Sequence, residues 1–167
     1  EQEGTYPLPE AQLDRFLLKI KVDYPSRAEE KEILERMTGA PLPATRAVAS
    51  PEEILRARSA VRMVYVDEKI KEYVLDIVAA TRRPKEFGLE IGSWISYGAS
   101  PRATLYLTTA AKAHAFINGR GYVTPDDIKA LALDVLRHRI LTTYEAEARE
   151  ISAEQLATQI LEAVPVP

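Results

Sequence analysis

Arg102 occupies the position in this sequence that most invites chemistry. Ser100 and Pro101 open an alanine-rich helix running to about residue 117, which puts Arg102 in its first turn. The helix macrodipole disfavours a cation there by roughly 0.3–1 kcal/mol, so a negative partner would offset the placement. Free amides at a helix start already favour anions, and a guanidinium fork beside them can hold phosphate oxygens through paired charge-assisted bonds. The plainer alternative is an exposed arginine, or one paired with an Asp or Glu. Arg15 is the second candidate. It follows the proline-punctuated stretch Tyr6-Pro7-Leu8-Pro9 and a short helical turn, just ahead of a strand-like segment beginning near Phe16. Such junctions often face ligands or neighbouring subunits; a salt bridge to Glu10 or Asp14 is the structural alternative.

The usual catalytic constellations are missing from these residues. There is no glycine loop ending in Lys-Ser/Thr, no histidine pair at metal-binding spacing and no serine elbow. His114 lies within the alanine-rich helix and His138 at a helix end, where packing and dipole roles suffice. The absence of cysteine excludes a disulfide framework and a thiolate metal site, and suits a reducing compartment. A net charge of -3 gives no overall field for nucleic acid, although Arg82, Arg83 and Lys85 form a small basic cluster. No apolar run approaches the roughly 20 residues that span a bilayer, so the chain reads as soluble and cytoplasmic.

The elements that must position these residues are marked by helix-start signals. A Ser or Thr followed three residues later by an acid or amide satisfies two backbone donors reciprocally. Four such pairs occur: Ser26 with Glu29, Ser50 with Glu53, Thr124 with Asp127, and Ser152 with Gln155. They predict helices over about 26–37, 51–62, 125–137 and 153–163. Asp67 caps a fifth, whose Ile70, Val74, Ile77 and Val78 share a face, and the helix from Ser100 is the sixth. Arg137, His138 and Arg139 suit a helix C-terminus.

Leu18, Ile20, Val22 and Tyr24 alternate with Lys19, Lys21 and Asp23 in the period-2 pattern of a half-buried strand. A lone strand needs neighbours. Other strand candidates, Val61–Val66, Trp94–Tyr97 and Arg139–Tyr144, are short; either they form a small sheet with it, or its partners lie upstream. Residues 38–50 read as a connector, 84–99 as a long loop of a length that is often functional, and the tail from Val164 as a frayed end.

Taken together, GTYPLPEAQLDRF at 4–16, YGASPRA at 97–103, GRGYVTPDDIKALALDVLRHR at 119–139 and YEAEAREISAEQL at 144–156 resemble the MoxR family of AAA+ ATPases. The resemblance spans nearly the whole chain and is weakest over 84–96. It implies a mainly α fold: a helical bundle, the AAA+ lid, with an N-terminal remnant of an α/β AAA+ core. Residues 1–37 would be the end of that core, 38–50 a linker and 51–167 the lid, with Phe16–Tyr24 similar to the last core strand.

The same resemblance implies a ring, hexameric when intact, that holds ATP and Mg2+ between subunits and uses hydrolysis to remodel or mature partner proteins. Arg15, in LDRF, looks like the arginine finger acting in a neighbour's site, and such a finger supplies roughly 10³–10⁵ in rate. Arg102, in GASPRA, looks like the sensor-2 arginine contacting the γ-phosphate, with Ser100 beside it; whether it acts in its own site or the neighbour's is left open. The family's P-loop, Walker-B acids and sensor-1 Asn have no match here, so the chain would begin just after sensor 1 and be inactive alone. A partner with a von Willebrand A domain is a further implication. Outside the family, the alternatives are a nucleotide-free helical interaction module and a DNA-binding helical domain, the latter opposed by the acidic balance.

Overall fold

The helix starts follow the capping signals residue for residue. The computed structural model describes residues 8–39 and 44–167. Tyr6 and Pro7 of the expected loop, and residues 40–43 of the expected linker, lie outside the described residues. In chain order the elements are α1 (Glu10–Leu13), α2 (Arg27–Thr38), α3 (Pro51–Met63), α4 (Glu68–Arg82), β1 (Ile95–Tyr97), α5 (Pro101–Ile117), α6 (Pro125–Leu136), β2 (Leu141–Thr142), α7 (Tyr144–Ala148) and α8 (Ala153–Ala163). At all four expected boxes the third-position side chain accepts the cap's backbone N–H: Glu29 from Ser26 at 2.7 Å, Glu53 from Ser50 at 2.7 Å, Asp127 from Thr124 at 2.8 Å and Gln155 from Ser152 at 2.8 Å.

The core is built from α4, α5, α6 and α8. Val74, Ile77 and Val78 of α4 face Leu107 of α5, Ile128 and Val135 of α6, and Leu156 and Ile160 of α8 across one continuous apolar cluster. Each large aliphatic side chain buried this way contributes roughly 1.5–3 kcal/mol relative to exposure. Ala103, Ala111 and Ala115 are fully buried on α5, so its small side chains let α4 and α6 approach closely. Gly119 adopts φ 71° just past α5, the left-handed conformation that ends a helix without a Cβ clash.

The strand expected at 18–24 is not formed. Ile20, Val22 and Tyr24 are 68%, 87% and 97% exposed, and the segment's backbone anchor is a single bond from Lys19 N–H to Asp134 O at 2.8 Å. Alternation marks a segment with one face to cover, but a ladder also needs a neighbouring backbone. Among the described residues none lies alongside. The described sheet is only β1 against β2, antiparallel, with Ile95 opposite Thr142 and Tyr97 opposite Leu141. Of the other candidates, Val61–Val66 begins as the end of α3, which runs to Met63, and beyond it Tyr65 alone bridges to Tyr122. Arg139–Tyr144 shortens to β2, and α7 begins at Tyr144.

Residues 84–99 are also not an open loop. They fold into two 3-10 turns, Pro84–Phe87 and Gly92–Trp94, followed by β1, and Phe87, Leu89, Ile91, Trp94 and Ile95 pack on the core. Apolar spacing too irregular to read as helix or strand here serves as a packed strap. The tail does not fray at its start either, because Val164 is buried and its N–H bonds Ile160 O at 3.0 Å.

Candidate functional site

The start of α5 is seated by the end of α4. Thr81 Oγ1 accepts the Ala99 N–H at 2.9 Å, and Arg82 Nε donates to Ala99 O at 2.6 Å. Gly98 is obligatory for this approach, since a Cβ there would lie 2.4 Å from Thr81 O. From the other side, pairing of β1 with β2 carries the 139–142 segment next to residues 95–100. Ser100, Arg102 and Arg139 thereby converge, although the last two are far apart in sequence.

What they converge on is Asp14. Its carboxylate accepts from Ser100 Oγ at 2.9 and 3.0 Å, from Arg102 Nη1 at 3.2 Å and from Arg139 Nε at 3.1 Å. The dipole-opposed cation at the start of α5 therefore has a counter-ion within the chain, which is the ion-pair alternative for Arg102. Burial differs along this cluster: the side chains of Arg139, Asp14 and Arg102 are 0%, 21% and 49% exposed. Burial pushes the Arg139 guanidinium down from its ordinary range, and the Asp14 carboxylate acts against that shift. An arginine remains charged even so, and its face also lies 5.0 Å from the Tyr106 ring centroid.

Arg139 does more than pair with a carboxylate. It donates to the backbone carbonyls of Asp14 at 2.9 Å, Leu17 at 3.4 Å and Phe16, and to that of Val135 in the last turn of α6. Tyr106 OH donates to Arg15 O at 3.3 Å, and His138 Nε2 contacts Phe16 O at 3.1 Å. Burial pushes the His138 imidazole down, favouring the neutral ring. A carbonyl can only accept, so the proton sits on Nε2, and Nδ1 is buried without a partner among the described residues. The sequence reading of Arg139 as a cation suited to a helix end missed this role, because the groups it holds are more than 120 residues away in the chain.

Arg15 is exposed, and neither of its expected partners, Glu10 and Asp14, bonds its side chain; among the described residues it forms no ion pair. A shallow cleft of about 230 Å3, lined by Gln12, Arg15 and Phe16, lies alongside it. The Arg82, Arg83 and Lys85 cluster is partly spent within the fold, since Arg82 holds Ala99 and Arg83 pairs with Glu86 at 3.3 Å. Among the described residues no group of three or more His, Asp or Glu could hold a metal ion, and no helix is long and apolar enough to cross a membrane.

A second charged cluster joins α5 to α6. Asp127, fully buried, accepts from Arg120 at 2.7 and 2.5 Å, from the Thr124 N–H and hydroxyl at 2.8 and 3.0 Å, and contacts His114 Nδ1 at 2.6 Å. Burial alone would raise its carboxyl, but Arg120, the Thr124 donors and His114 outweigh that and hold it well below the usual carboxylate range. The capping signal located Asp127; its role as an ion-pair centre had no separate signal in the sequence.

Residues 92–160 match the family model for the AAA lid domain. Over its whole length the chain is 45% identical to Chaperone MoxR1 of Mycobacterium tuberculosis, of which it covers 44%. It is 40% identical to protein YeaC of Bacillus subtilis, covering 50%, and 29% identical to Protein MoxR of Methylorubrum extorquens, covering 52%. A crystal structure of a candidate ATPase from Cytophaga hutchinsonii superposes with a TM-score of 0.94 at 44% identity, the chain covering 51% of it. The chain spans about half the length of the curated relatives it matches.

Proposed function

The chain belongs to the MoxR family of AAA+ ATPases, matching its C-terminal, lid-bearing portion, and we propose that in the intact protein it couples ATP binding and hydrolysis to remodelling or maturation of partner proteins. On this reading Arg102 is the sensor-2 arginine, with Ser100 beside it, and Arg15 is the finger offered to a neighbouring subunit of a hexameric ring. The observation that carries the reading is the cluster around Asp14. Its Ser100 hydroxyl and Arg102 guanidinium are already holding an anion at a helix start, which is the donor set a phosphate oxygen would use. Half-exposed Arg102 can exchange the carboxylate for phosphate at small cost, because ion pairs of that exposure are weak.

ATP is the substrate in this proposal, and Mg2+ would be held by residues outside this chain. The chain by itself would bind partners or neighbours but not hydrolyse ATP. A cytoplasmic setting and a partner carrying a von Willebrand A domain belong to the same proposal. Nucleotide-free interaction is the competing reading, and it treats the Asp14 to Arg102 pair as the final state of both residues.

Steady-state ATPase assays on the intact protein separate the two readings. Arg15→Ala is expected to lower kcat by about 10³-fold or more while nucleotide binding is largely kept, since a finger acts across the interface and mainly in the transition state. Arg102→Ala is expected to lower kcat and weaken ATP affinity together. Turnover near wild type for Arg15→Ala removes the finger assignment. Unchanged kinetics and affinity for Arg102→Ala return that residue to its salt bridge.

A further inference from the structure

The turn carrying Arg15 is held from one side only. Four consecutive carbonyls, those of residues 14, 15, 16 and 17, accept hydrogen bonds from lid side chains: Arg139 takes 14, 16 and 17, Tyr106 takes 15, and His138 shares 16. The Arg15 side chain is excluded from this grip and stays exposed. Among the described residues Arg139 is the one group common to the backbone of the turn and to the Asp14 carboxylate that also binds Arg102. A guanidinium suits the task because its planar fork offers five donors in fixed directions, which a lysine ammonium cannot reproduce.

We infer that Arg139 is a positioning residue for Arg15, and that through Asp14 it links the seating of Arg15 to what Arg102 is bound to. The inference rests on the finger and sensor-2 reading above. The bistable element is the Asp14 carboxylate. With Arg102 on Asp14, the carboxylate is shared among Ser100, Arg102 and Arg139. With Arg102 and Ser100 on a phosphate oxygen, Asp14 is left to Arg139 alone, and the turn that presents Arg15 to the neighbouring subunit changes its anchoring. Such an exchange is a physical coupling between sites because one group has two discrete arrangements that both ligands bias.

The test uses the intact ATPase and reads kcat, ATP affinity and rescue in mixed rings. Arg139→Gln is expected to lower kcat about 100-fold, the scale of a small misplacement of a catalytic group, with ATP affinity within about threefold of wild type. Mixing Arg139→Gln subunits with subunits that cannot bind nucleotide but keep residues 14–17 and Arg139 is expected to restore turnover, because the missing function is supplied across the interface. Damage confined to the folding of the mutated subunit is not rescued by an inactive neighbour. If Arg139→Gln does not assemble, Arg139→Lys replaces it: the charge is kept, the three-carbonyl grip is lost, and the same rescue is expected. Asp14→Asn frees Arg102 from its competitor and is expected to tighten ATP binding about fivefold while lowering kcat, the lower end of typical coupling effects.

Arg15→Ala serves as the control. Wild-type turnover for Arg15→Ala defeats the finger reading itself. A large loss for Arg15→Ala with no loss for the Arg139 variants, or a loss that mixing does not rescue, overturns the positioning inference alone. Unchanged affinity and turnover for Asp14→Asn overturn the link to Arg102.

Discussion

Asp127 is fully buried and gathers its donors from within thirteen residues of sequence, from His114, Arg120 and Thr124. Asp14 keeps 21% of its side chain exposed and gathers donors 86 to 125 residues away, from Ser100, Arg102 and Arg139. Both are carboxylates paired with arginine, yet their surroundings give them opposite consequences. Around Asp127 every partner is local and the carboxylate itself is fully desolvated, so removing a partner leaves a buried charge short of donors. Around Asp14 one arm is rigid, the buried Arg139, and the other is loose, the half-exposed Arg102. A cluster with one fixed and one loose arm can exchange its loose partner without dismantling the fold, which is what a phosphate-sensing site requires.

The largest effect that sharpens this contrast is expected from Asp127→Ala. Removing a fully buried carboxylate that also caps α6 should cost about 3 kcal/mol, the low end for breaking a buried pair because Arg120 can reach water. Urea unfolding of the chain measures it, and a loss below about 1 kcal/mol would put Asp127 in the same class as a surface pair.

Acidification should act next. Asp127 has a depressed carboxyl when folded, so its contribution is complete above the unfolded value of about 4 and is lost progressively as pH falls below it. His138, also depressed, adds a decline that begins on acidification below about pH 6.5, where the unfolded chain binds protons the folded ring does not. Thermal unfolding across pH 7 to 3 should therefore show stability falling in two stages. A flat profile contradicts both assignments.

Arg102→Ala should have the smallest effect on stability, no more than about 1 kcal/mol, since its ion pair is half exposed and its removal also relieves an unfavourable dipole contact. A loss comparable to that of Asp127→Ala would erase the difference between the two clusters.

The legibility of the molecule divides along the same line. Capping boxes announced α2, α3, α6 and α8 because each is a contract between residues three apart, and the helix from Ser100 was legible from its opening pair. The conflict between Arg102 and the macrodipole was legible too; the identity of the anion was not, because Asp14 lies 88 residues away and no local pattern points to it. Arg139 was read as a cation at a helix end, which is true of its place but silent about the carbonyls it grips. The 18–24 segment misled for a related reason. Its alternation reports the side chains' need for cover, while strand formation depends on a neighbouring backbone that period alone cannot supply. Likewise, the packed strap at 84–99 owes its order to Ile91 and Trp94 finding the core, a tertiary event without a period.

The most direct test of the proposed account is a structure of the intact protein with a non-hydrolysable ATP analogue. The account predicts Arg102 and Ser100 on a phosphate oxygen, Asp14 retained by Arg139 but released from Arg102, and the Asp127 cluster unchanged. Nucleotide bound with Arg102 still on Asp14 would contradict it.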